Sequence, residues 1–226
     1  MPEIVLALDL TDADAALHLL DRLPALRWVK IGPVLTTRAG APFVQELARR
    51  RLRVFLDLKW HDIPNTVAGA VSAARELGVA MATVHTLGGR AMLEAAARAA
   101  GPDLNLVGVT VLTSHDGVSY AEAVGRDRVD IAEEAQRLAR LARDAGVRGV
   151  VCSAHEVAAL RRLLGPSAPI VVPGIRRRID AAADQARVST AGDAVRSGAT
   201  HLVVGRPVLQ ATDPAAVLAE LEAEVA

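Results

Sequence analysis

The chain has 226 residues, with 26 basic and 26 acidic side chains and no formal net charge; that balance argues against a nucleic-acid binder, which needs a basic excess. A single cysteine excludes an intramolecular disulfide and fits a reducing compartment. No apolar run approaches the ~18 residues of a membrane helix, and MPEIVLALDL lacks the basic and cleavage features of a signal peptide, so a cytoplasmic protein is expected.

Short apolar, β-branched runs alternate with longer Ala-, Leu- and Arg-rich stretches of helical period. The first run, IVLALD (4–9), ends in Asp9 and leads to a helix over 12–23 that Thr11 or Asp12 can cap. WVKIG (28–32) carries Lys30 and precedes a helix over 41–51, whose three terminal arginines suit the macrodipole. VFLDLK (54–59) runs into charge at Asp57 and Lys59, with Asp62 beyond it and a helix over 64–77 to follow. MATVHT (81–86) leads to a helix over 89–100, and LVGVTVL (106–112) runs into Thr113 and Ser114 before a helix over 130–145. GVVCS (149–153) and a helix over 155–164 come next, then IVVPG (170–174), which runs into Ile175 and Arg176. A helix over 189–198, the strand HLVVG (201–205) with Arg206 and Pro207 after it, and a helix over 214–225 complete the series. Gly78, Gly101 and Gly146 follow helical runs, where a C′ glycine is wanted.

Eight βα units, with strands apolar on both faces, imply a parallel sheet covered by helices. In a chain of this length they point to a closed (β/α)8 barrel, one α/β domain over 1–226, with an open doubly wound sheet as the alternative.

In such a barrel the active site forms at the C-terminal ends of the strands, and that is where the polar residues gather. Asp57 and Lys59 are two apart, so on a strand both face the barrel mouth while Leu56 and Leu58 face the helices. A bland buried ion pair there would cost desolvation for little gain. Asp62, two before Pro64, reads equally as a helix N-cap or as part of a site. Gly205 and Arg206 follow the last strand, where barrels commonly hold a phosphate. The stretch from Gly174 to Val188 is a loop of about 15 residues with three arginines in a row, the length of a lid or binding loop. Cys152 reads as a small core residue, His18 and His155 as helix-surface or helix-start residues, and His85, His115 and His201 show no metal-ligand spacing.

Lys30, DLKWHDIPNT (57–66), VLTS (111–114), PGIR (173–176), Gln185 and GRP (205–207) together resemble the orotidine 5′-phosphate decarboxylase family in its bacterial form, over nearly the whole chain. DxKxxD alone is shared with a wider barrel superfamily; the longer run with PGIR and GRP downstream is more specific. The resemblance implies that Asp9 and Lys30 contact the ribose and that Lys30, Asp57, Lys59 and Asp62 form an alternating catalytic array. It also implies that Asp62, Ile63 and Thr66 reach the active site of a partner subunit, making a homodimer with shared sites. Thr113 is then expected near the pyrimidine, and Arg176, Gln185, Gly205 and Arg206 at the 5′-phosphate, with the run Arg176-Arg177-Arg178 leaving open which arginine reaches it. The implied reaction converts orotidine 5′-phosphate to UMP without metal or cofactor, in pyrimidine biosynthesis, with Lys59 protonating C6; neither nucleic acid nor membrane is an expected partner. The alternatives are a magnesium-dependent 3-keto-gulonate-6-phosphate decarboxylase or hexulose-phosphate synthase of the same superfamily, or a phosphate-binding barrel without catalysis.

Overall fold

The computed structural model describes residues 1–177 and 190–226. Eight parallel strands close into a barrel in sequence order, so the open-sheet alternative is excluded: β1 (Glu3–Ala7) pairs with both β2 (Trp28–Ile31) and β8 (His201–Val204). Between them lie β3 (Arg53–Trp60), β4 (Met81–His85), β5 (Asn105–Val109), β6 (Gly149–Val151) and β7 (Ile170–Pro173). Strand alternation sorts the side chains. Val5, Trp28, Phe55, Met81, Val107 and Val171 fill the barrel. Ile4, Leu6, Val29, Leu56, Ala82 and Val172 face outward into the larger helix-covered core. Burial of both faces is why these strands read as unbroken apolar runs.

The helical layer is α1 (Ala13–Asp21), α2 (Pro33–Arg49), α3 (Pro64–Glu76), α4 (Gly89–Ala100), α5 (Gly117–Ala123), α6 (Ile131–Asp144), α7 (Val157–Leu164), α8 (Ala191–Arg196), α9 (Arg206–Leu209) and α10 (Pro214–Val225), with a 3-10 turn at Thr86–Gly88 before α4. Asp12 caps α1 by accepting the Ala15 N–H at 2.8 Å. Gly78, Gly101 and Gly146 take positive φ of 75°, 58° and 85° at the ends of their helices, a conformation that a side chain would strain. None of the helices is long and apolar enough to cross a membrane, among the described residues.

Three expectations need correction. The second helix begins at Pro33, not 41, because Gly32 and a proline at N1 start it early; it then turns at Gly40 (φ 60°, ψ −158°) just before Pro42. Strands β1, β5 and β6 stop at Ala7, Val109 and Val151, short of the expected 9, 112 and 153, so Asp9 and Cys152 sit on the loops that leave the barrel mouth, and Thr113 lies on such a loop as expected. Asp62 is not the cap of α3. Ile63 takes that place in extended conformation, as the residue before a proline must, and among the described residues Asp62 accepts only the Ile63 N–H at 2.6 Å.

Candidate active site

At the C-terminal mouth of the barrel lies a cavity of about 340 Å³, within the range of small-molecule sites. Asp9, Lys30, Asp57, Lys59, Thr113, Arg176, Gly205 and Arg206 all line it. Phe55, Val109, Val151, Val171 and Val203 form its apolar floor and wall.

One side of the cavity is a row of alternating charge. Lys30 Nζ stands 3.1 Å from Asp9 Oδ1 and 3.6 Å from Asp57 Oδ2. Lys59 Nζ donates to both oxygens of Asp57, at 2.9 and 3.0 Å. Lys30 and Asp57 are largely buried, with side chains 12% and 14% exposed, so desolvation is tolerable only because each ion touches its opposite. The row ends in Lys59, whose side chain is 37% exposed toward the opening.

A break in the sheet puts Lys59 there. Leu56 pairs with Ala82 and Trp60 with Val84, so Asp57, Leu58 and Lys59 face Thr83 alone. The two extra residues bulge, and Lys59 adopts φ 50°, the left-handed region that costs a non-glycine residue about 1–2 kcal/mol. Strain of this kind collects at functional sites. The Lys59 N–H donates to Thr83 Oγ1 at 2.8 Å, and Thr83 Oγ1 donates to Asp57 Oδ1 at 3.1 Å. Thr83 is fully buried and was missed in the sequence. Its signal was a hydroxyl at an inward position of β4, between the inward residues Met81 and His85.

The wall of the cavity formed after β7 and β8 is cationic. Gly174 turns with φ 78° and leads to Ile175 and Arg176, while Gly205 and Arg206 approach from the end of β8. Arg176 is anchored by a parallel bridge to Thr190. Gln185 lies outside the described residues. A methyl group on Gly205 would stand 3.6 Å from Ala7 and Asp9, an ordinary contact, so glycine there leaves open room in the cavity.

Asp62, Ile63 and Thr66 are not brought into this cavity. All three are exposed; Ile63 presents 65% of its surface. No histidine lines this cavity, among the described residues. His85 is half-buried, and burial, then the charges of His61 and Lys59, push its pKa down to about 4. Its Nδ1 accepts the Leu87 N–H at 3.3 Å, and its ring stacks on His61 at 5.6 Å. Burial pushes the Cys152 thiol well up, as befits a core residue. No His, Cys, Asp or Glu side chains cluster as a metal site among the described residues; the cavity carboxylates Asp9 and Asp57 are already taken by lysines.

The arrangement can grip an anion between Arg176 and Arg206, seat a ring on the apolar floor, and present an ammonium to the reacting atom. A family model described as "Orotidine 5'-phosphate decarboxylase / HUMPS family" matches residues 2–221. The chain is 50% identical to an orotidine 5′-phosphate decarboxylase of Alkalilimnicola ehrlichii, over 99% of this chain and 96% of the relative. It is 49% identical to one of Chromohalobacter salexigens, over 99% and 95%. In structure it is similar to orotidine 5′-phosphate decarboxylase from Lactobacillus acidophilus, with TM-score 0.88 and 33% identity over 100% of this chain and 99% of that one.

Proposed function

The chain belongs to the orotidine 5′-phosphate decarboxylase / HUMPS family, and from that membership and its row of charges we propose how it turns orotidine 5′-phosphate into UMP in pyrimidine biosynthesis. Loss of CO2 from C6 leaves an electron pair with no conjugated sink, so the protein must stabilise it electrostatically. Lys59 is the group for this: its ammonium stabilises the carbanion at C6 and then donates the proton. Asp57, near the departing carboxylate, repels it, but two charges at ~4 Å interact by only about 4 kcal/mol at an effective ε of 20. The largest enzymatic accelerations need about 20 kcal/mol. Moreover Lys30 and Lys59 both sit on Asp57, at 3.6 and 2.9 Å, and offset much of its field. Stabilisation by a preorganised ammonium therefore carries more of the effect than repulsion.

The remaining roles follow the walls of the cavity. Arg176, Arg206, the backbone at Gly205 and, from outside the described residues, Gln185 hold the 5′-phosphate, so that remote binding energy aligns the ring. Asp9 and Lys30 bind the ribose, and Thr113 lies at the pyrimidine edge. Asp62, Ile63 and Thr66 serve the active site of a second copy in a homodimer; their exposure outside their own cavity supports this. The reaction needs neither metal nor cofactor. A cytoplasmic enzyme fits the single cysteine.

The observation that carries this reading is the row Asp9–Lys30–Asp57–Lys59 ending at the cavity. A spectrophotometric assay with orotidine 5′-phosphate, with and without EDTA, tests it. Expected is loss of the orotate absorbance, formation of UMP, and equal rates in both arms. Rates silenced by EDTA, or none at all with folded protein, would return the magnesium-dependent sugar-phosphate relatives.

A further inference from the structure

We infer that Thr83 is a positioning residue for the reaction, its hydroxyl holding the bulge of β3 that aims Lys59 and Asp57 into the cavity. This rests on the reading of Lys59 as the proton donor.

In a regular parallel ladder, strand N–H groups are taken by carbonyls of the neighbouring strand. Opposite Thr83 that ladder is interrupted: residues 57–59 of β3 face a single residue of β4. The Lys59 N–H finds the Thr83 hydroxyl at 2.8 Å instead. The same hydroxyl donates a hydrogen bond to Asp57 Oδ1 at 3.1 Å. One buried side chain thus touches the backbone of one member of the ion pair and the carboxylate of the other. It ties together the left-handed turn at Lys59 and the orientation of Asp57.

A hydroxyl suits this position because it accepts and donates at once. Valine would fill the same space and keep the β-branch, yet leave the Lys59 N–H and one Asp57 oxygen without that partner. If Thr83 mattered only for packing, valine would serve as well. If it positions, valine lets the bulge relax and moves the ammonium. The phosphate and ribose contacts, on β2 and on the loops after β1, β7 and β8, would be undisturbed.

The test compares Thr83→Val and Thr83→Ser with the wild-type enzyme. In Thr83→Val, kcat is expected to fall about 100-fold, the cost of a misplaced group, while the Kd for UMP, measured calorimetrically, stays unchanged. Thr83→Ser restores the hydroxyl and with it most of kcat. A full-rate Thr83→Val, or a Thr83→Ser as slow as Thr83→Val, would overturn the proposal. The wild-type protein supplies a check independent of any variant's folding. Its Lys59 amide, bonded to a buried hydroxyl, should exchange slowly with solvent, and rapid exchange would also overturn the proposal. Lys59→Ala in the same assay separates the two readings. Turnover there removes the lysine's role and Thr83's with it, whereas an inactive Lys59→Ala beside a full-rate Thr83→Val removes only Thr83's.

Discussion

His201 opens β8 at the N-terminal end of the barrel, where its ring stands T-shaped to that of Trp28 with centroids 5.0 Å apart and its Nδ1 shares a hydrogen bond with Thr200 Oγ1 at 2.8 Å. Burial, then the nearby Arg53 guanidinium, push its pKa from the ordinary 6.5 down to about 4. Between those values the unfolded chain takes up a proton that the folded chain refuses. Stability therefore rises with pH across this window and is lost as pH falls through it, by about 3 kcal/mol from this group at pH 4. His85 acts in the same sense, more weakly because its ring is partly in water. Urea unfolding at neutral pH and near pH 4.5 should show the loss, and His201→Gln should reduce it. An equal pH dependence in the variant would count against this account. At this scale the charged residues were legible in the sequence, since ions at the end of an apolar strand are conspicuous. Thr83 was not, because threonine is an ordinary strand residue and only its partners make it unusual.

At the scale of elements, the excursion between β5 and α6 shows what periodicity misses. The seven residues of α5 lie outside the expected series of helices, because a helix this short offers no apolar repeat. It forms on a capping box between Asp116 and Ser119 and is then tied down by one residue of α6. Glu134, only 4% exposed, accepts from Tyr120 Oη at 3.1 Å, Arg126 Nη1 at 3.1 Å and Arg137 Nη2 at 2.6 Å. The Arg137 guanidinium holds the Glu134 carboxyl below the usual range. The Tyr120 phenol is pushed up to about 12, first by burial and then by the Glu134 charge. Glu134→Ala would leave the buried Tyr120 hydroxyl without its acceptor, while the half-exposed Arg126 and Arg137 turn to water, and should cost about 1–3 kcal/mol, a fall in Tm of about 2–12 °C. An unchanged melting temperature would show that the network contributes little to the fold.

For the molecule as a whole, the question is where Asp62 works. It sits outside the cavity of its own barrel, exposed, beside Ile63 with 65% of its surface in water. If a second copy receives these residues, two inactive variants, Lys59→Ala and Asp62→Ala, should complement when mixed and allowed to exchange subunits. Each mixed dimer then holds one intact site, so about a quarter of the wild-type activity should return at statistical exchange. No recovery, with mixed dimers demonstrated by native mass spectrometry, would place Asp62 in its own chain's chemistry or in none.

The sequence by itself determined the alternation of strand and helix, the face on which Asp57 and Lys59 lie, and the set of residues near the strand ends, because these depend on periods of two and 3.6 residues along a local chain. Closure of the barrel, the bulge opposite Thr83 and the exclusion of Asp62 from its own cavity were decided only by the tertiary structure. Each depends on which residue of one strand stands beside which residue of another, and a two-residue shift in β3 alters that pairing without changing the alternation along either strand.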